Sequence, residues 1–103
     1  MKDKNMLKAY KLFFGTLTSN DRLMIINSLR KQSKTVGELQ KELKLEQTRV
    51  SHNLKRLKKC GFVDVKIDGK YRIYKLKERT IKPLMNLIDN HMKNYCLKIT
   101  GGK

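Results

Sequence analysis

Tryptophan is absent from this chain, proline occurs once, and there are only two cysteines. Two thiols supply no disulfide framework for a small fold, so Cys60 and Cys96 read as ordinary half-buried side chains. No apolar run approaches the roughly 20 residues that cross a bilayer. The opening Met1-Lys-Asp-Lys-Asn lacks the apolar block of a signal peptide. A cytoplasmic chain with no membrane partner is expected. Acid is scarce as well: 9 Asp plus Glu stand against 25 Lys plus Arg, for a formal net charge of +16. The second half is the more extreme, with 14 basic and 4 acidic residues over 52–103 against 11 and 5 over 1–51. Such a field gathers polyanions. A membrane surface would require a basic amphipathic helix whose apolar face is left unpacked. Here the apolar faces are all needed for a core, which makes nucleic acid the better partner.

What is present reads as one domain, residues 1–98, followed by a flexible tail at 99–103. Met6, Leu7, Tyr10, Phe13, Phe14 and Leu17 recur at helical spacing, predicting a helix over about 5–17. Thr18-Ser19-Asn20-Asp21 offers cap oxygens to a second helix reaching about Lys31, which buries Leu23, Ile25, Ile26 and Leu29. Thr35-Val36-Gly37-Glu38 is a capping box opening a short helix with Val36, Leu39 and Leu43 inward. Lys44-Leu45-Glu46 is a turn. Gln47 to about Lys59 is the next helix, with Val50, Leu54 and Leu57 on one face and Gly61 suited to its left-handed end. Val63, Val65 and Ile67 then alternate with polar residues, and Asp68-Gly69 signals a hairpin returning through Leu76. A last helix over about 80–96 places Ile81, Leu84, Met85, Ile88, Met92 and Tyr95 on one stripe. The fold class is mainly α with a small β-hairpin: a winged helix-turn-helix of order α-α-α-α-β-β-α. The helix-turn-helix covers about 35–60 and the wing about 62–76.

That order places function on the Gln47–Lys59 helix. With its apolar residues turned inward, Gln47, Thr48, Ser51, His52, Lys55 and Lys59 share the outer face. The start of that face is short and polar, suited to base edges: Gln47 to adenine, Thr48 or Ser51 to several groups. Its end, Lys55, Arg56, Lys58 and Lys59, suits phosphates. Lys66, Lys70, Tyr71 and Arg72 cluster near the hairpin tip, where a wing meets the DNA backbone or minor groove.

Glu38 to Leu57, with its Val-Ser-His-Asn-Leu-Lys-Arg-Leu core, followed by Cys60-Gly61-Phe62-Val63 and the Asp68-to-Leu76 hairpin, resembles the ArsR/SmtB family of winged-helix regulators. The likeness extends loosely through the Asp21-Arg22-Leu23 helix and the final helix. It implies a homodimeric repressor that binds a palindromic operator in double-stranded DNA, with base contacts from Gln47, Thr48, Ser51 and His52 and wing contacts from Lys70 and Arg72. It also implies dimerisation through the first and last helices, using Leu7, Tyr10, Phe13, Phe14, Leu84, Met85, Ile88, Met92 and Tyr95. The residue pattern agrees, because Phe13, Phe14 and the Ile81–Tyr95 stripe exceed what a three-helix core and hairpin require. Two departures matter: Glu46 stands where a Ser cap is usual, and Arg49 replaces a small residue, adding an expected phosphate contact.

The family's metal sites are not reproduced in the sequence. No thiol or imidazole opens the Thr35-Val-Gly-Glu-Leu-Gln segment. Asp89 and His91 form an Asp-x-His pair, but its partner position falls at Thr100-Gly101-Gly102, and two ligands do not close a zinc site. No metal, other cofactor or obligatory small-molecule ligand is expected. A Cys60/Cys96 redox switch is a further alternative, with Lys58 and Lys59 favouring a thiolate. His52 and His91 lack the neighbours of a catalytic triad, and no phosphate-binding glycine loop is present, so no enzyme is expected. The competing functional reading is a sequence-indifferent nucleic-acid-binding winged helix, architectural or RNA-binding. A protein–protein module is a third, which leaves the charge unexplained.

Overall fold

In the computed structural model, which describes residues 4–101, the chain runs α1 (Lys4–Thr16), α2 (Asn20–Leu29), β1 (Lys34–Thr35), α3 (Val36–Leu43), α4 (Gln47–Lys59), β2 (Val63–Asp68), β3 (Tyr71–Leu76), α5 (Ile81–Asn94) and α6 (Cys96–Ile99). This is a winged helix-turn-helix. The strands form one antiparallel sheet in the order β1-β3-β2. The two-residue strand β1, not expected from the sequence, pairs Lys34 with Tyr74 and Thr35 with Ile73. A two-residue strand leaves no alternation to read. The wing pairs Val63 with Leu76 through to Asp68 with Tyr71. Its loop is Gly69-Lys70, and the positive φ of 63° at Gly69 explains the glycine.

The core is a single cluster: Ile25, Ile26 and Leu29 of α2, Leu39 of α3, Val50, Leu54 and Leu57 of α4, Phe62, Val63, Leu76, Ile81 and Met85. Leu23 is only half-buried and stays outside it. Helix ends follow local chemistry. Ser19 caps α2 by accepting from Arg22 N–H, and the Thr35/Glu38 capping box is formed in full. Between α3 and α4, Lys44 adopts a left-handed φ of 56°. Helix α4 ends in a paired motif, with Gly61 N–H to Lys58 O at 3.0 Å and Phe62 N–H to Leu57 O at 2.8 Å. Gly61 has φ 77°, where a Cβ would be strained. Of the expected tail at 99–103, Ile99 closes α6 and Thr100 and Gly101 follow it, while Gly102 and Lys103 lie outside the described residues, as do Met1 to Asp3.

A buried charge ties three elements together. Lys34, 8% exposed, donates to the Ser28 carbonyl at 3.1 Å, the Ser28 hydroxyl at 2.7 Å and Glu42 Oε1 at 2.7 Å. The Ser28 hydroxyl donates to the same Glu42 oxygen at 2.6 Å. An ammonium so nearly removed from water requires these partners, and together they join α2, β1 and α3. The hydrogen bond from Lys34, then that from Ser28, holds the Glu42 carboxyl below its ordinary 4.5.

A carboxyl with a depressed folded pKa stabilises the fold above its unfolded pKa, and that contribution is lost as pH falls through the folded value. Glu42→Gln is therefore expected to cost about 1 kcal/mol at neutral pH, discounted because the carboxylate is partly exposed. Its thermal-midpoint curve should converge on the unmodified protein's as the pH drops below about 4.5. Parallel curves across that range would show that the bond contributes nothing.

Candidate nucleic-acid interface

Helix α4 buries Val50, Leu54 and Leu57 completely, and Asn53 to 8% exposure. Gln47, Thr48, Ser51, His52, Lys55 and Lys59 are all exposed, as are Lys58 and, on the wing, Lys66, Lys70, Tyr71 and Arg72. The expected reading face is thus open along its length. Glu46 caps α4 without a side-chain hydrogen bond, in keeping with its departure from a Ser cap.

Two arginines expected on phosphate have partners inside the molecule. Arg49, expected on phosphate, forms a forked pair with Asp21 of α2, Nε at 3.0 Å and Nη2 at 2.8 Å. Bidentate guanidinium–carboxylate geometry is the strong form of this contact; it fastens α4 to α2 and leaves the Arg49 side chain 55% exposed. Arg56, one heptad on and therefore on the same flank, turns toward α1 and donates to the Thr16 hydroxyl at 3.1 Å. It is half-buried, and its Nε lacks a partner among the described residues.

The residues that set the pose of α4 were missed from the sequence. Arg22 donates through Nε to the Thr16 carbonyl at 2.8 Å and through Nη1 to Asn53 Oδ1 at 3.2 Å. The Asn53 amide in turn donates to the Arg49 carbonyl at 2.8 Å. Thr16 is fully buried, and its hydroxyl donates to Leu12 O at 2.7 Å. One signal was available: Asn53 is a polar residue inside the apolar stripe of its helix, a placement that requires a partner.

The wing presents two faces. Alternation along the paired strands puts Ile67 with Arg72 on one side and Lys66 with Tyr71 on the other. The basic tip is therefore not one cluster. Lys70 Nζ lies 5.5 Å from the Tyr71 ring centroid, and Ile67 is 68% exposed.

The expected dimer residues also divide. Met85 is a core residue at 5% exposure, which removes it from any interface, and Phe13, Leu84 and Ile88 pack partly against the same core. Phe13 stacks on Phe62 with centroids 5.0 Å apart. Met92 is half-buried. Leu7, Tyr10, Phe14 and Tyr95 are 56%, 50%, 58% and 57% exposed, and Leu12, Leu87 and Ile99, not anticipated, are 54%, 66% and 84% exposed.

Asp89 is ion-paired to Arg30 at 2.7 Å, and the His91 ring stacks on Tyr95 at 4.6 Å. Among the described residues no group of three His, Cys, Asp or Glu is arranged to hold a metal. Cys60 is half-buried with Sγ 3.5 Å from the Thr16 hydroxyl, and Cys96 is exposed. No helix among the described residues is long and apolar enough to cross a membrane.

Similarities to known proteins bear on this surface. The profile of the family described as "Bacterial regulatory protein, arsR family" matches residues 19–65, from the start of α2 into β2. The chain is 35% identical over 85 residues to an uncharacterized HTH-type transcriptional regulator of Methanocaldococcus jannaschii, covering 80% of this chain and 92% of that protein. The transcriptional repressor BigR from Xylella fastidiosa matches in structure with a TM-score of 0.70 at 26% identity, over 92% of this chain and 90% of BigR. Mb0332 of Mycobacterium bovis, described as a homodimeric winged helix-turn-helix DNA-binding domain, matches with a TM-score of 0.83 over 95% of this chain and 93% of that one. At 20% identity that last likeness is one of fold.

Gln47→Ala is expected to relax base preference at one position per half-site by about 1–3 kcal/mol, read by competition between cognate and substituted duplexes. Lys55→Ala and Lys70→Ala should instead weaken all duplexes alike and lower the salt slope by about one. Unchanged preference in the Gln47 variant would mean that another surface reads the bases.

Proposed function

The chain belongs to the arsR family of bacterial regulatory proteins, and from that premise we propose that it represses transcription by binding a palindromic operator as a homodimer. It is a DNA-binding transcriptional regulator with a winged helix-turn-helix fold. The observation that carries the finer reading is the outer face of α4. Its first turn and a half exposes Gln47, Thr48, Ser51 and His52, short groups that discriminate base edges, before the lysines begin. No acid lies between Glu46 and Asp64. A protein that bound nucleic acid only by charge would need no such polar start.

Repression is the activity named for BigR; for this chain it is part of the proposal, as is work in the cytoplasm, where the target would be. No enzymatic role is proposed. Dimerisation is supported by surface chemistry. Leu7, Tyr10 and Phe14 line one side of α1, and Leu87 and Tyr95 stand out from the other end of the chain, all more than half exposed or at that level. Apolar area of this kind marks an association surface. The chain is also expanded for its size, with a radius of gyration of 15.0 Å and a thickness of 24 Å, against about 13 Å for a compact fold of this length. Helices that project from a core are stabilised by packing against a copy.

Two measurements test this reading. Selection of sites from random duplexes near physiological salt should enrich one inverted repeat; enrichment of no motif would favour sequence-indifferent binding instead. Sedimentation should show a dimer that Tyr10→Ser with Phe14→Ser converts to monomer, with loss of palindrome binding at protein concentrations that saturate the unmodified chain. A monomeric unmodified chain that bound the full site would contradict it.

A further inference from the structure

Where the end of α2 faces the first half of α5 lies a cleft of about 410 Å³ walled by Asn27, Arg30, Lys31, Lys82 and Asn86. A second hollow of about 260 Å³ shares Arg30, Lys31 and Lys82 with it and continues over Leu29, Leu76 and Ser33. We propose that this double cleft binds a small phosphorylated molecule, its phosphoryl oxygens held by Lys31, Lys82 and the two asparagine amides. The site goes beyond the functional reading above and does not depend on it. Leu76 closes β3 five residues after Tyr71 at the wing tip, about 17 Å along the strand.

The polar groups of the wall point to an acceptor. Arg30 donates through Nη1 to Asn27 Oδ1 at 3.1 Å and through Nη2 to Asn86 Oδ1 at 2.6 Å, and it is ion-paired with Asp89 at 2.7 Å. Each asparagine thus turns its oxygen to the guanidinium, and its NH2 has no partner among the described residues. What the wall still offers is donors: two amides and the ammonium groups of Lys31 and Lys82. A neutral amide or hydroxyl would bring further donors to a surface already rich in them. A phosphoryl group brings only acceptor oxygens, with the negative charge that strengthens each bond. Because Arg30 grips both asparagines, their amides are set before a ligand arrives.

Charge agrees with hydrogen bonding. Three cations line the larger cleft and, among the described residues, no carboxylate does; Asp89 is engaged by Arg30. Lys31 acts on Glu42 only from beyond ion-pairing distance. The carboxylate nearest Lys82, that of Glu78, stands 3.9 Å away and equally far from Lys75, at the limit of a pair and readily displaced in water. The two hollows together exceed the room one phosphate needs. The rest of the ligand, or a second phosphate, would lie over Leu29 and Leu76, each 3% exposed.

Pyrophosphate is the probe. Calorimetric titration of the unmodified chain near physiological salt should give one saturable site per chain, and inorganic phosphate a weaker one. Asn86→Asp and Asn27→Asp each keep an oxygen for Arg30 while replacing the free NH2 by a carboxylate oxygen. Each should bind pyrophosphate roughly tenfold more weakly or worse, at an unchanged or higher thermal midpoint. Lys31→Ser with Lys82→Ser should lose as much. Lys93→Ser with Lys98→Ser, which removes the same charge from the far end of α5 and from α6, should leave binding within about twofold. Protein saturated with duplex DNA should still take up pyrophosphate. Exclusion by the duplex would assign these cations to DNA phosphates and overturn the inference. So would the absence of saturable binding, full affinity in a folded Asn86→Asp chain, or equal losses in the two lysine pairs, the mark of diffuse attraction. A chain that bound no duplex would contradict the functional reading alone, and the titrations of the free protein would still decide this one.

Discussion

One guanidinium fixes how α4 is turned. Apolar contacts of Val50, Leu54 and Leu57 hold α4 against the core, but burial is non-directional and tolerates rotation about the helix axis. Arg22 removes that freedom. It bridges the Thr16 carbonyl, at the end of α1, to the Asn53 amide in the middle of α4, and Asn53 closes the chain on the Arg49 carbonyl. Each such bond contributes only about 1 kcal/mol net, but leaving one of these buried groups unpaired costs about 1–3. A rotation of α4 that exposed Leu54 would strand Asn53 and Arg22 together. The polar lock and the apolar stripe therefore select the same orientation, and the outward display of Thr48, His52 and Lys55 is the consequence.

The same network sorts the cations. Of the basic groups on α4, Arg49 and Arg56 lie along the flank toward α1 and α2 and are engaged by Asp21 and Thr16. Lys34 is consumed beneath α3 by Ser28 and Glu42, and Arg30 joins α2 to α5 through Asp89 and Asn86. Arginine, with its fixed fork, does the fastening. The exposed groups on α4 and the wing are mostly lysines, compact charges suited to phosphate rather than to internal geometry. An excess of +16 thus has two uses, and only part of it is available to a polyanion.

What could be read in the sequence was what is local. The capping box at Thr35, the glycine stop at Gly61, the alternation of Val63, Val65 and Ile67, and the apolar spacing of α4 depend on neighbours a few residues away, and each stands as expected. What depended on distant partners was not legible. Nothing distinguishes Lys34 from a surface lysine until β1 pairs with β3 and carries it under α3. Arg49 looked like a phosphate ligand because Asp21 lies 28 residues away along the chain. Met85 of α5 was read as an interface residue, whereas with Ile81 it completes the core, and Leu84 and Ile88 pack partly against it. Asn53 was the one legible clue passed over.

The central claim is that the outward face of α4 enters the major groove, once from each of two symmetric copies. Protection of guanine N7 from methylation on the selected operator tests it most directly, because N7 lies on the major-groove edge. The account predicts two protected patches related by the operator's dyad and separated by about one helical turn or a whole multiple of it, with the patches lost when Thr48, Ser51 and His52 are replaced together by alanine. Protection spread evenly along the duplex, or none in the major groove despite tight binding, would contradict it.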